Sequence, residues 1–284
     1  MKNKKTYNLS KLHDKTATTL LTIALIIVCL LWLFPLLWFI LSSFKPGSEL
    51  FTYPLSILPE NPTFSNYVDA WNTLEFPRLF MNTMITTVVT TILTIIASAT
   101  AGYAFAKYDI KWLNFFFICI IATTMLPTEV IMNPIFIVIR ELGLYDNLAG
   151  IIIPSINTAT GIFMFRTFFV SVPDELIESA RVDGASDGQI FFDIMLPIAK
   201  PVIFTLAIFS VQWRWNDYIW PLIVLNKPKN YTLQVAIRGL VGSENINWTV
   251  MLGASVISII PLVIVFIVFQ RYIIDSNVSV GIKG

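Results

Sequence analysis

Six runs of mainly apolar residues, each long enough to cross a bilayer, leave this chain of 284 residues few soluble folds to adopt. A membrane-crossing helix needs about 20 such residues, because the hydrocarbon core is about 30 Å thick. The first run, "TLLTIALIIVCLLWLFPLLWFILSSF", belongs to a stretch without charge from Thr16 to Phe44. The others cover about Asn82 to Ala106, Trp112 to Val138, Asn147 to Val170, Pro201 to Leu225, and Val250 to Gln270. Pro127, Glu129 and Pro134 interrupt the third run, Arg166 lies near the end of the fourth, and the fifth carries Arg214 and Asp217. Composition agrees: 13% of residues are charged, against about 25% in soluble domains. The fold class is an all-α membrane protein with six transmembrane helices.

Orientation follows from the basic residues between the runs. With the N-terminus in the cytoplasm, the inner segments hold Lys2, Lys4, Lys5, Lys11, Lys15, Lys107, Lys111, Arg166, Arg181, Lys200, Arg271 and Lys283. The outer ones hold Lys45, Arg78, Arg140, Arg214, Lys227, Lys229 and Arg238. The division is 12 to 7 of the 19, so both termini are read as cytoplasmic. Within the outer segment after the first run, "FSNYVDAWNTLEFPRLFMNT" spaces its aromatic residues like a short interfacial helix.

Several function classes drop out. A net charge of +1 argues against a nucleic-acid footprint. Cys29 and Cys119 both lie in apolar runs, and no Cys/His spacing suits a metal. His13, the only histidine, sits in the polar N-terminal tail. No phosphate-binding G-x-x-x-x-G-K-[ST] occurs, so this chain is expected to bind no nucleotide cofactor and no metal itself.

The densest charge is "ESARVDGASDGQIFFDIMLP", Glu178 to Pro197, between the fourth and fifth runs. Locally it predicts two short helices. Ser171 is a candidate N-cap for the first, with Pro173, Asp174 and Glu175 suited to its opening turn. Gly184 suits its left-handed stop. "SDGQ" forms a capping box from Ser186 for the second, and Pro197 is expected to end it. Such a helix–turn–helix either docks on a partner or is a solvated linker.

The spacing Glu178-Ser179-Ala180, three residues, Gly184, nine residues, Ile194, one residue, Leu196-Pro197 resembles the EAA loop of bacterial ABC importer permeases, E-A-A-x3-G-x9-I-x-L-P. Only Ser179 departs from the pattern. "ELGLYDNLAGIIIP", "VDGAS", "WRWNDYIWPLIVL" and "VGIKG" resemble carbohydrate-uptake permeases, in particular the maltose-type, MalG-like subunit. The resemblance implies a type I ABC importer permease in the bacterial plasma (inner) membrane. It divides the chain into a cytoplasmic tail (1–16), a first membrane helix (17–44), an external loop (45–80), a permease core (81–271) with a coupling loop (171–200), and a cytoplasmic tail (272–284).

It also implies partners: a homologous permease, two ATPase subunits that use ATP and Mg, an extracytoplasmic sugar-binding protein, and membrane lipid around the spans. The substrate implied is a sugar, an oligosaccharide by class. ATPase coupling would fall to Glu178, Ser179, Ala180, Asp183, Gly184, Ser186, Ile194, Leu196 and Pro197, and a tail contact to Gly281, Lys283 and Gly284.

Charge at membrane depth normally faces protein or a water-filled cavity. Arg214 and Asp217, three apart, can pair. As one continuous helix, the fifth run would put Trp213, Asn216, Asp217 and Trp220 on one face, a combination suited to a sugar's C–H faces and hydroxyls. In maltose-type systems, however, the sugar is held mainly by the partner permease. Glu129 is either cavity-lining or at a helix end. The rival reading is a secondary transporter or membrane-embedded enzyme using Asp217, Arg214 and Glu129, which leaves the loop pattern unexplained.

Overall fold

The computed structural model describes residues 5–242 and 246–280, and every regular element among them is helical. The chain opens with α1 (Lys5–Ser42), followed by α2 (Ser65–Thr73) and α3 (Phe76–Lys107). Next come α4 (Lys111–Ala122), α5 (Thr128–Glu141), α6 (Ala149–Ser155) and α7 (Ala159–Ser171). The charged loop forms α8 (Glu175–Val182) and α9 (Asp187–Ile198). Four helices follow: α10 (Lys200–Trp215), α11 (Ile219–Val224), α12 (Leu233–Gly239) and α13 (Trp248–Val280).

By length and apolarity, four segments can cross a membrane: Ala17–Ser42, Phe76–Lys107, Ala149–Ser171 and Trp248–Gln270. Two bent pairs raise the number to six. One joins Lys111–Met125 to Thr128–Glu141 at 110°, and the other joins Asp187–Ile198 to Lys200–Trp215 at 73°. The all-α, multi-span class read from the sequence is therefore the observed one. The aromatic-rich segment divides differently from expectation. The short helix is α2, whereas Phe76 onward belongs to α3, with Pro77 in the first turn where its missing N–H costs nothing.

The chain divides into two compact units. One comprises the chain up to Ala70 together with Asn247–Val256. In it, Asn66 Nδ2 donates to the carbonyls of Ser43 and Lys45 at 2.8 Å each, and the Lys45 ammonium donates to Ser56 O. A Cβ on Gly253 would lie 2.8 Å from Asn66 O, so the start of α13 needs glycine to approach α2.

The other unit, Trp71–Ile246 with Ile257–Gly284, centres on α3, which packs against α7 and α10. Small residues permit that approach in the absence of a hydrophobic drive between helices in lipid. A Cβ on Gly102 would sit 2.5 Å from Phe165 Cβ and 2.9 Å from Arg166 N. The face of α3 turned inward is a ladder of buried threonines: Thr83, Thr86, Thr87, Thr90, Thr91 and Thr94. Thr91 Oγ1 and Ser210 Oγ share a hydrogen bond of 2.9 Å, tying α3 to α10. The main apolar core joins Tyr103, Phe165 and Phe169 to Ile177, Ile190, Phe191 and Met195. The charged loop is thus rooted in the core of this unit and is not a solvated linker.

Candidate functional site

The residues of the charged loop fold largely as their local chemistry dictates. Ser171 is one exception. It is the last residue of α7, its hydroxyl donating to Phe168 O at 2.7 Å, and Asp174 takes the N-cap position of α8. Pro173 explains the shift, because the residue before a proline is pushed out of helical geometry and Val172 is extended. Lys107 then fastens the start of α8 to the end of α3, its ammonium donating to Val172 O and Asp174 Oδ1 at 2.6 Å each.

At the other end of α8, Gly184 adopts φ +84°. The N–H of Ala185 reaches Ala180 O at 3.0 Å and that of Gly184 reaches Arg181 O at 3.0 Å, which satisfies the last carbonyls. Ser186 forms the expected capping box with Gln189. Pro197 does not end α9. Its missing N–H cannot serve Asp193 O in an α-helical register, and Ile190–Met195 winds as a π-helix in which Leu196 N–H bonds to Phe191 O. Helix α9 closes at Ile198, before the bend.

Ala180 is buried, Ile194 and Leu196 pack against the core, and Asp183 and Pro197 are exposed. Ser179 Oγ donates to Leu176 O at 3.1 Å. Arg181 pairs with Asp187 at 3.0 Å rather than with Glu178, and this contact raises its pKa. The exposed Glu178 carboxylate makes no ion pair or hydrogen bond among the described residues. It borders a cleft of about 430 Å³ that also touches Lys107, Tyr108, Asp109 and Arg166. Gly281, Lys283 and Gly284 lie outside the described residues.

A second site is built where three helices are interrupted. Leu126, extended before Pro127, separates α4 from α5. Residues 156–158 separate α6 from α7, and 216–218 separate α10 from α11. Pro221 accounts for the last break, since it has no N–H to give to Asp217 O. Thr128, Asn157 and Asp217, one from beside each break, line a single cavity of about 300 Å³ with Trp213, Arg214 and Trp220. At about 1.5 Å per residue, Arg214 lies roughly 21 Å along α10.

Irregular backbone at membrane depth is tolerated where it is buried in protein or lines a water-filled cavity, and the three breaks here border one cavity. Pro154 adds a specific device. It cannot donate to Gly150 O, and that freed carbonyl accepts the indole N–H of Trp220 at 3.2 Å. Arg214 Nη1 and Asp217 Oδ2 stand 3.8 Å apart. Trp213 is partly exposed and stacks on Phe209 at 5.8 Å.

The break changes what the fifth run brings together. Asn216 turns to a different, apolar groove beside Leu262 and Phe266, its Nδ2 on Gln212 O at 2.9 Å. Glu129 is exposed in the first turn of α5, a helix end, and Thr128 rather than Glu129 reaches the cavity. Sequence reasoning missed Thr128, Ser155 and Asn157. Each stands beside a proline-linked break, and that was the available signal.

It missed Asp146 as well, in the loop between α5 and α6. Asp146 holds φ +56° and accepts the backbone N–H groups of Asn226 and Lys227 at 3.0 Å each. Together with desolvation acting the other way, those bonds and the Lys227 ammonium leave its pKa lowered to about 2. It staples the loop after α11 to the turn before α6.

Residues 97–277 match the family described as "Binding-protein-dependent transport system inner membrane component". The chain is similar to the arabinooligosaccharides transport system permease protein AraQ of Bacillus subtilis (strain 168), 35% identical over 268 residues, covering 93% of this chain and 95% of AraQ. It is also similar to the sn-glycerol-3-phosphate transport system permease protein UgpE of Yersinia pestis, 32% identical over 265 residues, covering 90% and 94%. Among solved structures, a chain of a bacterial ABC transporter involved in the import of the acidic polysaccharide alginate aligns with a TM-score of 0.82 and 29% identity, over 92% of this chain and 98% of that one.

Proposed function

This chain belongs to the family of binding-protein-dependent transport system inner membrane components, and on that footing we propose that its cargo is a sugar, passed through the cavity where the three helix breaks meet. The chain is a multi-pass permease subunit of an ABC importer, a transporter component rather than an enzyme. It works with ATPase subunits, a partner permease and a binding protein. In our reading the partner permease is homologous but distinct, two ATPase subunits bind the ATP and Mg, and an extracytoplasmic protein delivers an oligosaccharide. This chain itself binds no cofactor.

The observation that carries the reading is the convergence of Thr128, Asn157 and Asp217 from three separate breaks on one cavity. Interrupted helices leave backbone and side-chain polar groups available to a hydrated cargo, and they mark binding regions in other transporters. Alternating access follows if the cavity opens to one side at a time. ATP biases that equilibrium only through its preference for one state, so the ATPases must be mechanically joined to the helices around the cavity. The region α8–α9 supplies such a joint, being anchored in the core and continuous with α10.

The reading is tested in proteoliposomes holding the assembled importer. Uptake of an oligosaccharide that requires internal ATP and the binding protein supports it. Uptake by this chain alone, driven by a proton gradient, overturns it. Glu178 tests the joint. Glu178→Ala removes an exposed carboxylate without a partner among the described residues, so folding stability should change by no more than about 0.5 kcal/mol. The purified complex should nevertheless lose ATPase subunits or hydrolyse ATP without moving sugar. Arg181→Ala, which breaks only the pair with Asp187, is the control. Equally mild transport defects in both would remove the coupling role of Glu178.

A further inference from the structure

We propose that Arg214 and Asp217 form a subsite for an uncharged, hydroxyl-bearing sugar ring and select neutral over acidic carbohydrates at the cavity wall. The inference rests on the reading of the chain as a sugar permease, and it adds the charge class of the cargo. Its basis is the gap between the two groups. At 3.8 Å, Nη1 and Oδ2 are too far apart for a direct hydrogen bond. Arg214 Nε is buried without a hydrogen-bond partner among the described residues, so the guanidinium holds unused donors.

The Asp217 carboxylate faces the backbone N–H groups of Tyr218 and Trp220. With two oxygens and about four lone-pair positions, it keeps acceptor capacity to spare. One hydroxyl both accepts and donates, so it can take a hydrogen bond from the guanidinium and give one to the carboxylate, closing the gap. The partly exposed ring of Trp213 lines the same cavity and offers an apolar surface for the C–H side of a sugar.

Charge decides the selectivity. Among the described residues lining the cavity, Arg214 and Asp217 are the only charged ones, and their formal charges sum to zero. A carboxylate or phosphate brought to this wall sheds water at a far larger cost than a neutral hydroxyl does. Attraction to Arg214 is opposed by repulsion from Asp217 a few ångströms away, so the cost is not offset. The volume, about 300 Å³, lies at the small end of ligand pockets, about 300–1,000 Å³. That suits one ring of a chain passing through. The relatives' names include both an arabinooligosaccharide and an acidic polysaccharide, so likeness alone does not separate the two classes.

The test titrates the purified complex of this chain with its partner permease and ATPase subunits, without binding protein, following tryptophan fluorescence. The neutral probe is arabinotriose and the acidic probe an alginate trisaccharide, with Trp213→Phe to assign the signal. The wild type should bind the acidic probe at least about tenfold more weakly, as expected for an uncompensated transfer of charge from water. Asp217→Asn leaves a net positive wall and should narrow or reverse that ratio. The double variant Arg214→Gln with Asp217→Asn restores neutrality and should restore the preference. If Asp217→Asn fails to assemble, Arg214→Gln should instead widen the ratio.

Equal binding of both probes by the wild type, or a ratio unmoved by these substitutions, overturns the proposal. Binding of neither probe also overturns it. ATP-dependent uptake by the complete importer would still stand in that case, so the two readings fail separately.

Discussion

The charged loop α8–α9 and the cavity beside Arg214 are two polar regions of the same compact unit, and they are built in opposite ways. In α8–α9 the turns and caps are closed by neighbours a few residues away: Gly184 with Arg181, Ser186 with Gln189, Ser179 with Leu176. The cavity takes residues from α5, the 156–158 break and the 216–218 break, and it leaves Arg214 Nε without a hydrogen-bond partner among the described residues. A locally satisfied element can be pushed as a rigid piece. A cavity with unspent donors can exchange one set of partners for another, as passage of a hydrated cargo demands.

Two glycines sharpen the contrast, and the larger effect is expected behind the cavity, at Gly150, whose carbonyl holds Trp220. At Gly150 an added Cβ would meet Leu144 O at 2.4 Å and Val224 Cγ1 at 2.9 Å. Leu144 O is backbone and cannot rotate away. Gly150→Ala should destabilise the cavity wall by about 1–3 kcal/mol or more, and it should displace the carbonyl that receives Trp220. A thermal melt of the detergent-solubilised complex reads this, and an unchanged melt would mean that the wall yields more easily than its geometry implies. At Gly184 nothing lies within 4 Å of the added atom, and only φ +84° resists it. Gly184→Ala should therefore cost about 1 kcal/mol, with Gly184→Asn milder because asparagine tolerates that conformation. A penalty at Gly184 larger than at Gly150 would erase the distinction between local and tertiary construction.

Asp146 adds a pH window. Its folded pKa, about 2, lies below the ordinary 3.8. Its contribution is therefore complete above about pH 4 and is lost as pH falls through about 2. Melting temperatures of wild type and Asp146→Asn should differ at pH 5 and converge toward pH 2. A constant difference over that range would mean that the ionised carboxylate is not what holds the 225–231 loop.

The sequence by itself determined the membrane class, the places of most spans and the stops and starts of the charged loop. Those features depend on composition over about 20 residues or on contacts within one helical turn. Gly184, the Ser186–Gln189 box and the EAA-like spacing therefore read directly. Ser171 and Pro197 did not behave as expected, because Pro173 moved the cap to Asp174 and the helix passed Pro197 by widening to a π-turn. Only the tertiary structure decided which polar residues share the cavity. Trp213, Asp217 and Trp220 do so although the helix breaks between them, and Asn216 does not although it adjoins Asp217. The direction of a side chain beyond a break depends on how the next helix packs, and for Trp220 that was fixed by a carbonyl 70 residues away, freed by Pro154.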